Sequence, residues 1–221
     1  KSILRNFYYK YGNRYYEVTN PTFEFSGKGF SSQRSFMRIG EILSERNYEN
    51  GSFRMVYPGA GSHISFLETL KVVFRNDTIS NAEITFTEQE ANTQTIFNRF
   101  QELQQKGKIS NLTQFRSAEN QVLGELRILT FQLDGKLVEF KYSLNQTPND
   151  RTGWYSSDHA NNSDIILIHD LDGGERYNID QVLEDITTLN QPKLLVVDFA
   201  SYNRYLKEKL ENEYLFEILD L

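Results

Sequence analysis

The sequence contains no cysteine in its 221 residues. Disulfides, thiolate nucleophiles and thiolate-bound metals are therefore excluded. No apolar run approaches the roughly 20 residues that a membrane-spanning helix needs. Positive charge is also scarce, because 24 Lys and Arg residues oppose 30 Asp and Glu residues and leave a net charge of −6. This balance argues against general nucleic-acid binding, which needs clustered cations to neutralise phosphates.

Apolar residues make up 38% of the chain and aromatic residues 14%, enough for a sizeable core. Residues 1–34 are rich in Tyr and Phe, and we expect them to form an extension in which Gly12-Asn13 is a turn. Residues 35–221 are expected to form one domain. The sequence begins with Lys1 rather than methionine, so we expect that an upstream segment was removed or omitted, and a cleaved export signal is one explanation.

Strand and helix patterns alternate along this domain. The apolar spacing predicts helices over 35–46, 64–74, 91–106 and 179–189, and strands ending at Pro58, Thr87, His169 and Asp198. Two further β-rich runs flank Asp134-Gly135, a dipeptide preferred in type I′ hairpin turns. Residues 108–124 are polar and predict no element.

This alternation predicts an α/β fold, a three-layer, mostly parallel Rossmann-like sheet with helices on both faces and a β-hairpin insertion. In such sheets, ligands bind beyond the carboxyl ends of the strands, where the strand order reverses. We therefore expect the loops after Tyr57, Thr87, His169 and Asp198 to share one edge.

A glycine-rich turn follows the first predicted strand, in the sequence Val56-Tyr-Pro-Gly-Ala-Gly-Ser62. Glycine permits positive φ and lets a ligand approach the backbone. The helix predicted to follow would direct unpaired N–H groups at the same place. The turn is therefore a candidate small-molecule site.

The turn, Glu88 and the strand ending at His169 together resemble the class I S-adenosylmethionine-dependent methyltransferases. The resemblance covers roughly residues 35–200. It implies a cofactor site for S-adenosylmethionine, with an acid at the end of the second strand that binds the ribose hydroxyls. The cofactor-binding residues it implies are Tyr57, Gly59, Ala60, Gly61 and Glu88.

The same resemblance places Asp170 near the transferred methyl group, where it would face the acceptor. His63 is a candidate to orient the substrate or to act as a base, since histidine titrates near neutral pH; capping or packing at a helix start also accounts for it. The implied activity is methyl transfer to a small-molecule acceptor, which would place an active enzyme in the cytoplasm.

Two positions differ from the family's first motif. Ser62-His63 replaces the usual third glycine, and Tyr57-Pro58 replaces the acid that often precedes the first. These differences support a second hypothesis, a catalytically inactive, methyltransferase-like binding or interaction protein, for which export is an open alternative.

Other chemistries fit the sequence less well. The glycine turn lacks the Gly-Lys-Ser/Thr of a phosphate-binding loop, and no Gly-x-Ser-x-Gly elbow of a serine hydrolase is present. His169, Asp170 and Asp172 are suitable ligands for a divalent metal. We favour the alternative that Asp170 or Asp172 caps a helix and the glycines make a turn, because a metal site needs convergent ligands that one loop cannot guarantee, and we predict no metal site.

Overall fold

The computed structural model describes residues 10–11, 14–15, 31–48, 50–58, 64–87, 93–121, 123–143, 162–169 and 194–198. Three helices lie in these ranges: α1 (Ser31–Ser44), α2 (Phe66–Val73) and α3 (Thr93–Gln105). The strands are β1 (Lys10–Tyr11), β2 (Arg14–Tyr15), β3 (Ser52–Pro58), β4 (Asn81–Thr87), β5 (Arg116–Asn120), β6 (Gly124–Leu133), β7 (Lys136–Ser143), β8 (Ile165–His169) and β9 (Leu194–Asp198).

Seven strands form one mixed sheet in the order β5-β6-β7-β4-β3-β8-β9. The five strands from β7 to β9 in that order are mutually parallel, whereas β6 is antiparallel to both of its neighbours. The sheet and its helices are compatible with a Rossmann-like α/β fold. The predicted α/β character is thus confirmed, while the helix predicted over 179–189 lies outside the described residues.

The hairpin predicted around Asp134-Gly135 is confirmed. Strands β6 and β7 pair in antiparallel register from Leu126↔Ser143 to Leu133↔Lys136. Asp134 and Gly135 have φ values of 51° and 77°, as the two central positions of a type I′ turn require. Because β7 also pairs with β4, the hairpin is part of the main sheet.

Two other elements differ from the predictions. Strand β5 lies in the polar region where no element was expected, and it forms an edge of the sheet. Its side chains are exposed or half-buried, so it lacks the apolar alternation by which strands are recognised. Helix α1 begins at Ser31, four positions before the predicted start.

In the N-terminal region, β1 and β2 form an antiparallel pair around the predicted Gly12-Asn13 turn.

One face of the sheet packs against the helices through aromatic rings. The Phe140 ring lies 4.8 Å from that of Phe86 and 5.2 Å from that of Phe100, measured between centroids. Phe66 of α2 stacks on Phe140 at 6.0 Å. All four side chains are fully buried, so this cluster joins α2 and α3 to β4 and β7.

Helix α1 packs on α2 at very short range. A Cβ atom at Gly40 would lie 2.7 Å from the Thr69 carbonyl oxygen and 2.8 Å from the Val72 Cβ. The Thr69 hydroxyl donates a hydrogen bond to the Phe36 carbonyl at 2.5 Å. Glycine at position 40 is what permits this approach.

The opposite face carries charged side chains near the middle of the strands. Arg54 Nε lies 3.3 Å from the Glu83 carboxylate, and Lys141 Nζ lies 3.9 Å from the same group and 3.1 Å from Glu139. Closer to the carboxyl ends, Val56 and Thr85 on this face are buried. The face therefore changes from charged and partly exposed to buried along the strands.

Candidate ligand site at the carboxyl edge of the sheet

The strand order reverses between β3 and β8. From β3 the chain adds β4 and then β7 on one side, and β8 and β9 on the other. All five strands are parallel, so Pro58, Thr87 and His169 end their strands at the same edge. A reversal of this kind creates the crevice in which open α/β sheets bind ligands. The common edge predicted from the sequence is confirmed for these strand ends.

Six of the predicted site residues lie outside the described residues. They are the cofactor-binding Gly59, Ala60, Gly61 and Glu88, and the catalytic His63 and Asp170. The described residues that immediately precede Gly59, Glu88 and Asp170 in the sequence are the strand ends named above. Their assignments accordingly stay predictions.

Tyr57 is the one predicted site residue that the structure describes. Its side chain is fully buried on the helix-covered face of the sheet, and its ring centroid lies 5.2 Å from that of Phe86. Packing of this kind stabilises the end of β3 against β4. The side chain therefore belongs to the core beneath the carboxyl edge. The family motif often has an acid at this place.

Thr87, the last residue of β4, is a site candidate that the sequence did not reveal. Its side chain is fully buried, and Oγ1 makes no hydrogen bond to any described or neighbouring group. A buried hydroxyl without a partner costs about 1–3 kcal/mol. The other such atom among the described side chains is Arg54 Nε, but that atom has the Glu83 carboxylate as an ionic partner.

No sequence signal distinguishes Thr87 from other strand threonines. Thr85, two positions earlier on the same face, is also buried. Only the three-dimensional surroundings show which hydroxyl lacks a partner. Threonine is common in strands because its branched side chain packs well there, so its presence at a strand end carries no functional information.

A concavity lies among described residues at the opposite end of the strands. It is an open groove of about 550 Å³ whose lining includes Lys108, Asn111 and Gln132. Within the described part of the chain, no three acidic or histidine side chains converge on a point that could hold a metal ion. None of the described helices is both long and apolar enough to span a membrane. The His169, Asp170 and Asp172 side chains lie outside the described set.

Comparisons with known proteins do not identify a family. No protein-family model matches the sequence, and no curated protein matches it either.

Proposed function

We propose that this chain is a Rossmann-like domain that binds S-adenosylmethionine at the carboxyl edge of β3 and β4 and methylates a small-molecule acceptor. The observation that carries the proposal is the strand order. Numbered by their sequence along the chain, the parallel strands lie in the order third, second, first, fourth, fifth, which is that of doubly wound nucleotide-binding sheets. The glycine-rich turn follows the first of them, at the reversal.

In this proposal the backbone at Gly59, Ala60 and Gly61 approaches the amino-acid portion of the cofactor. Glu88 follows the end of the neighbouring strand, and a carboxylate there can accept hydrogen bonds from both ribose hydroxyls. Asp170 follows β8, on the other side of the reversal, and with His63 faces the methyl acceptor. Transfer of a methyl group from a sulfonium depends largely on positioning, so few acid-base groups are needed.

Calorimetry with S-adenosylmethionine and S-adenosylhomocysteine tests the binding step. We expect Glu88→Ala to weaken affinity at least about tenfold, because a carboxylate that accepts two hydrogen bonds is lost. Glu83→Ala is the matched control, since Glu83 lies on β4, the strand that ends just before Glu88, but pairs with Arg54 and Lys141 away from the edge. Absence of binding heat at millimolar ligand, with folded protein, would contradict the proposal.

The complete burial of Tyr57 favours the second candidate function, a binding or interaction protein without turnover. At that position the side chain contributes to the core rather than to a charged cofactor contact. Transfer of the tritiated methyl group of labelled S-adenosylmethionine to small molecules of a cell extract distinguishes an active methyltransferase from a binding protein without turnover. An active enzyme labels an acceptor and loses that activity in Asp170→Asn, whereas an inactive descendant labels none even if it binds the cofactor.

A further inference from the structure

The buried hydroxyl of Thr87 lies at the sheet edge where the strand order places a ligand. Thr87 pairs with Pro58 of β3 on one side and with Ser143 of β7 on the other. It alternates with Phe86, whose ring joins the helix-covered core, and so its side chain projects on the opposite face. The hydroxyl therefore lies at the carboxyl edge, one strand away from the reversal between β3 and β8.

Neither neighbouring position supplies the hydroxyl with a partner. Ser143, the nearest hydroxyl-bearing residue by register, donates its own hydrogen bond to the Leu123 carbonyl at 2.8 Å. Proline at position 58 has no backbone N–H to donate. The Thr87 hydroxyl thus makes no hydrogen bond, and it can still donate one and accept others.

We propose that Thr87 Oγ1 is a ligand-binding group that forms a hydrogen bond with a ribose hydroxyl of an adenosyl ligand. The inference rests on the proposed function, because the ribose is expected beside Glu88, the next residue in the sequence. A hydroxyl pairs well with another hydroxyl, since each can donate and accept. Because Thr87 is fully buried, a ribose hydroxyl bonded to it would be shielded from water.

Three single variants of the full chain isolate this hydroxyl. Thr87→Val removes it with little change of shape, Thr87→Ser retains it, and Thr85→Val makes the same chemical change at a buried threonine two positions away on the same face. If Thr87→Val does not fold, Thr87→Ala replaces it. Affinities for S-adenosylmethionine and adenosine are measured by calorimetry, and the melting temperature is measured without ligand.

We expect Thr87→Val to bind both ligands about 3- to 10-fold more weakly, the loss of one hydrogen bond. Its ligand-free melting temperature should equal or exceed that of the unmodified protein, since no intramolecular bond is lost. Thr87→Ser and Thr85→Val should retain affinity. One of 2′-deoxyadenosine and 3′-deoxyadenosine lacks the hydroxyl that Thr87 would bind. For that ligand, Thr87→Val and the unmodified protein should have the same affinity.

Unchanged affinity in Thr87→Val would overturn the inference while leaving the proposed function intact. A lower ligand-free melting temperature with unchanged affinity would identify the hydroxyl as structural. If the unmodified protein binds adenosine but not S-adenosylmethionine, the proposed function fails, and the loss of adenosine affinity in Thr87→Val still supports the ribose contact. Binding of neither ligand would refute both.

Discussion

The two faces of the central sheet use the same strands for different purposes. On the helix-covered face, Phe86 and Phe140 are fully buried among other aromatic rings. On the opposite face, Arg54, Glu83 and Lys141 form an ion-pair network whose side chains are partly exposed. Because successive side chains of a strand point to opposite faces, each strand contributes to both.

The opposite face also changes along its length. Its charged groups lie near the middle of the strands, whereas Thr85 and Thr87 near the carboxyl ends are fully or almost fully buried. On the helix-covered face, the polar groups of the described strands at that edge are the hydroxyls of Tyr57 and Tyr142, whose rings are fully buried and pack near Phe86. We infer that the aromatic face holds the fold together, while the Thr87 hydroxyl on the other face is left for recognition.

The largest effect should come from removing a ring at the centre of the aromatic face. Phe140→Ala should lower the free energy of unfolding by about 3–5 kcal/mol, because it leaves a cavity among rings that cannot collapse freely. Chemical denaturation measures this value. Leu137→Ala is the control on the same strand, since Leu137 points to the other face and is 48% exposed; it should change stability by less than about 0.5 kcal/mol.

Equal losses from these two variants would contradict the distinction between the faces. They would mean that the charged face contributes as much packing as the aromatic face.

Gly40→Ala should cause the next largest loss of stability, because it disturbs the contact between α1 and α2. Helix α2 in turn packs on the aromatic face of the sheet through Phe66. The added methyl group would meet the Thr69 carbonyl at 2.7 Å, and backbone cannot move aside cheaply. We expect a loss of about 3 kcal/mol despite the higher helix propensity of alanine. Thermal or chemical unfolding measures it.

Gly107→Ala provides the comparison for this variant. A Cβ there would meet nothing within 4 Å, and its φ of 70° is the only source of strain. The loss should be nearer 1 kcal/mol. A Gly40→Ala variant as stable as the unmodified protein would show that the helices separate readily, and that this layer is not rigid.

Much of the helix-covered face could be predicted from the sequence, because apolar periodicity reports burial directly. The spacing of Ile96, Phe100 and Leu103 predicted α3, and the Asp134-Gly135 turn predicted the hairpin. Strand β5 was missed since its pairing with β6 depends on backbone hydrogen bonds rather than on apolar side chains. Its position at the sheet edge follows from tertiary contacts that no local pattern records.

The candidate site was predictable in location but not in detail. Parallel strands place Pro58, Thr87 and His169 at one edge, and the alternation of elements was enough to predict this. The unpaired state of the buried Thr87 hydroxyl was not predictable. It depends on which groups lie beside Thr87 in the folded chain and on the hydrogen bonds they make, such as that of Ser143 to Leu123. Periodicity reports where side chains lie, but not which hydrogen bonds they leave unmade.

The smallest effect is expected from the ion-pair network, and it tests whether the charged face contributes to stability at all. Glu83→Gln removes the carboxylate that lies 3.3 Å from Arg54 and 3.9 Å from Lys141. Both Arg54 and Glu83 are about one-third exposed, so solvent screens the attraction and the loss should be below about 1 kcal/mol. The difference between the variant and the unmodified protein should shrink as sodium chloride is raised toward 1 M, where the Debye length falls to about 3 Å. A loss of several kcal/mol that salt does not reduce would mean instead that these charges are effectively buried, and that the two faces hold the fold together equally.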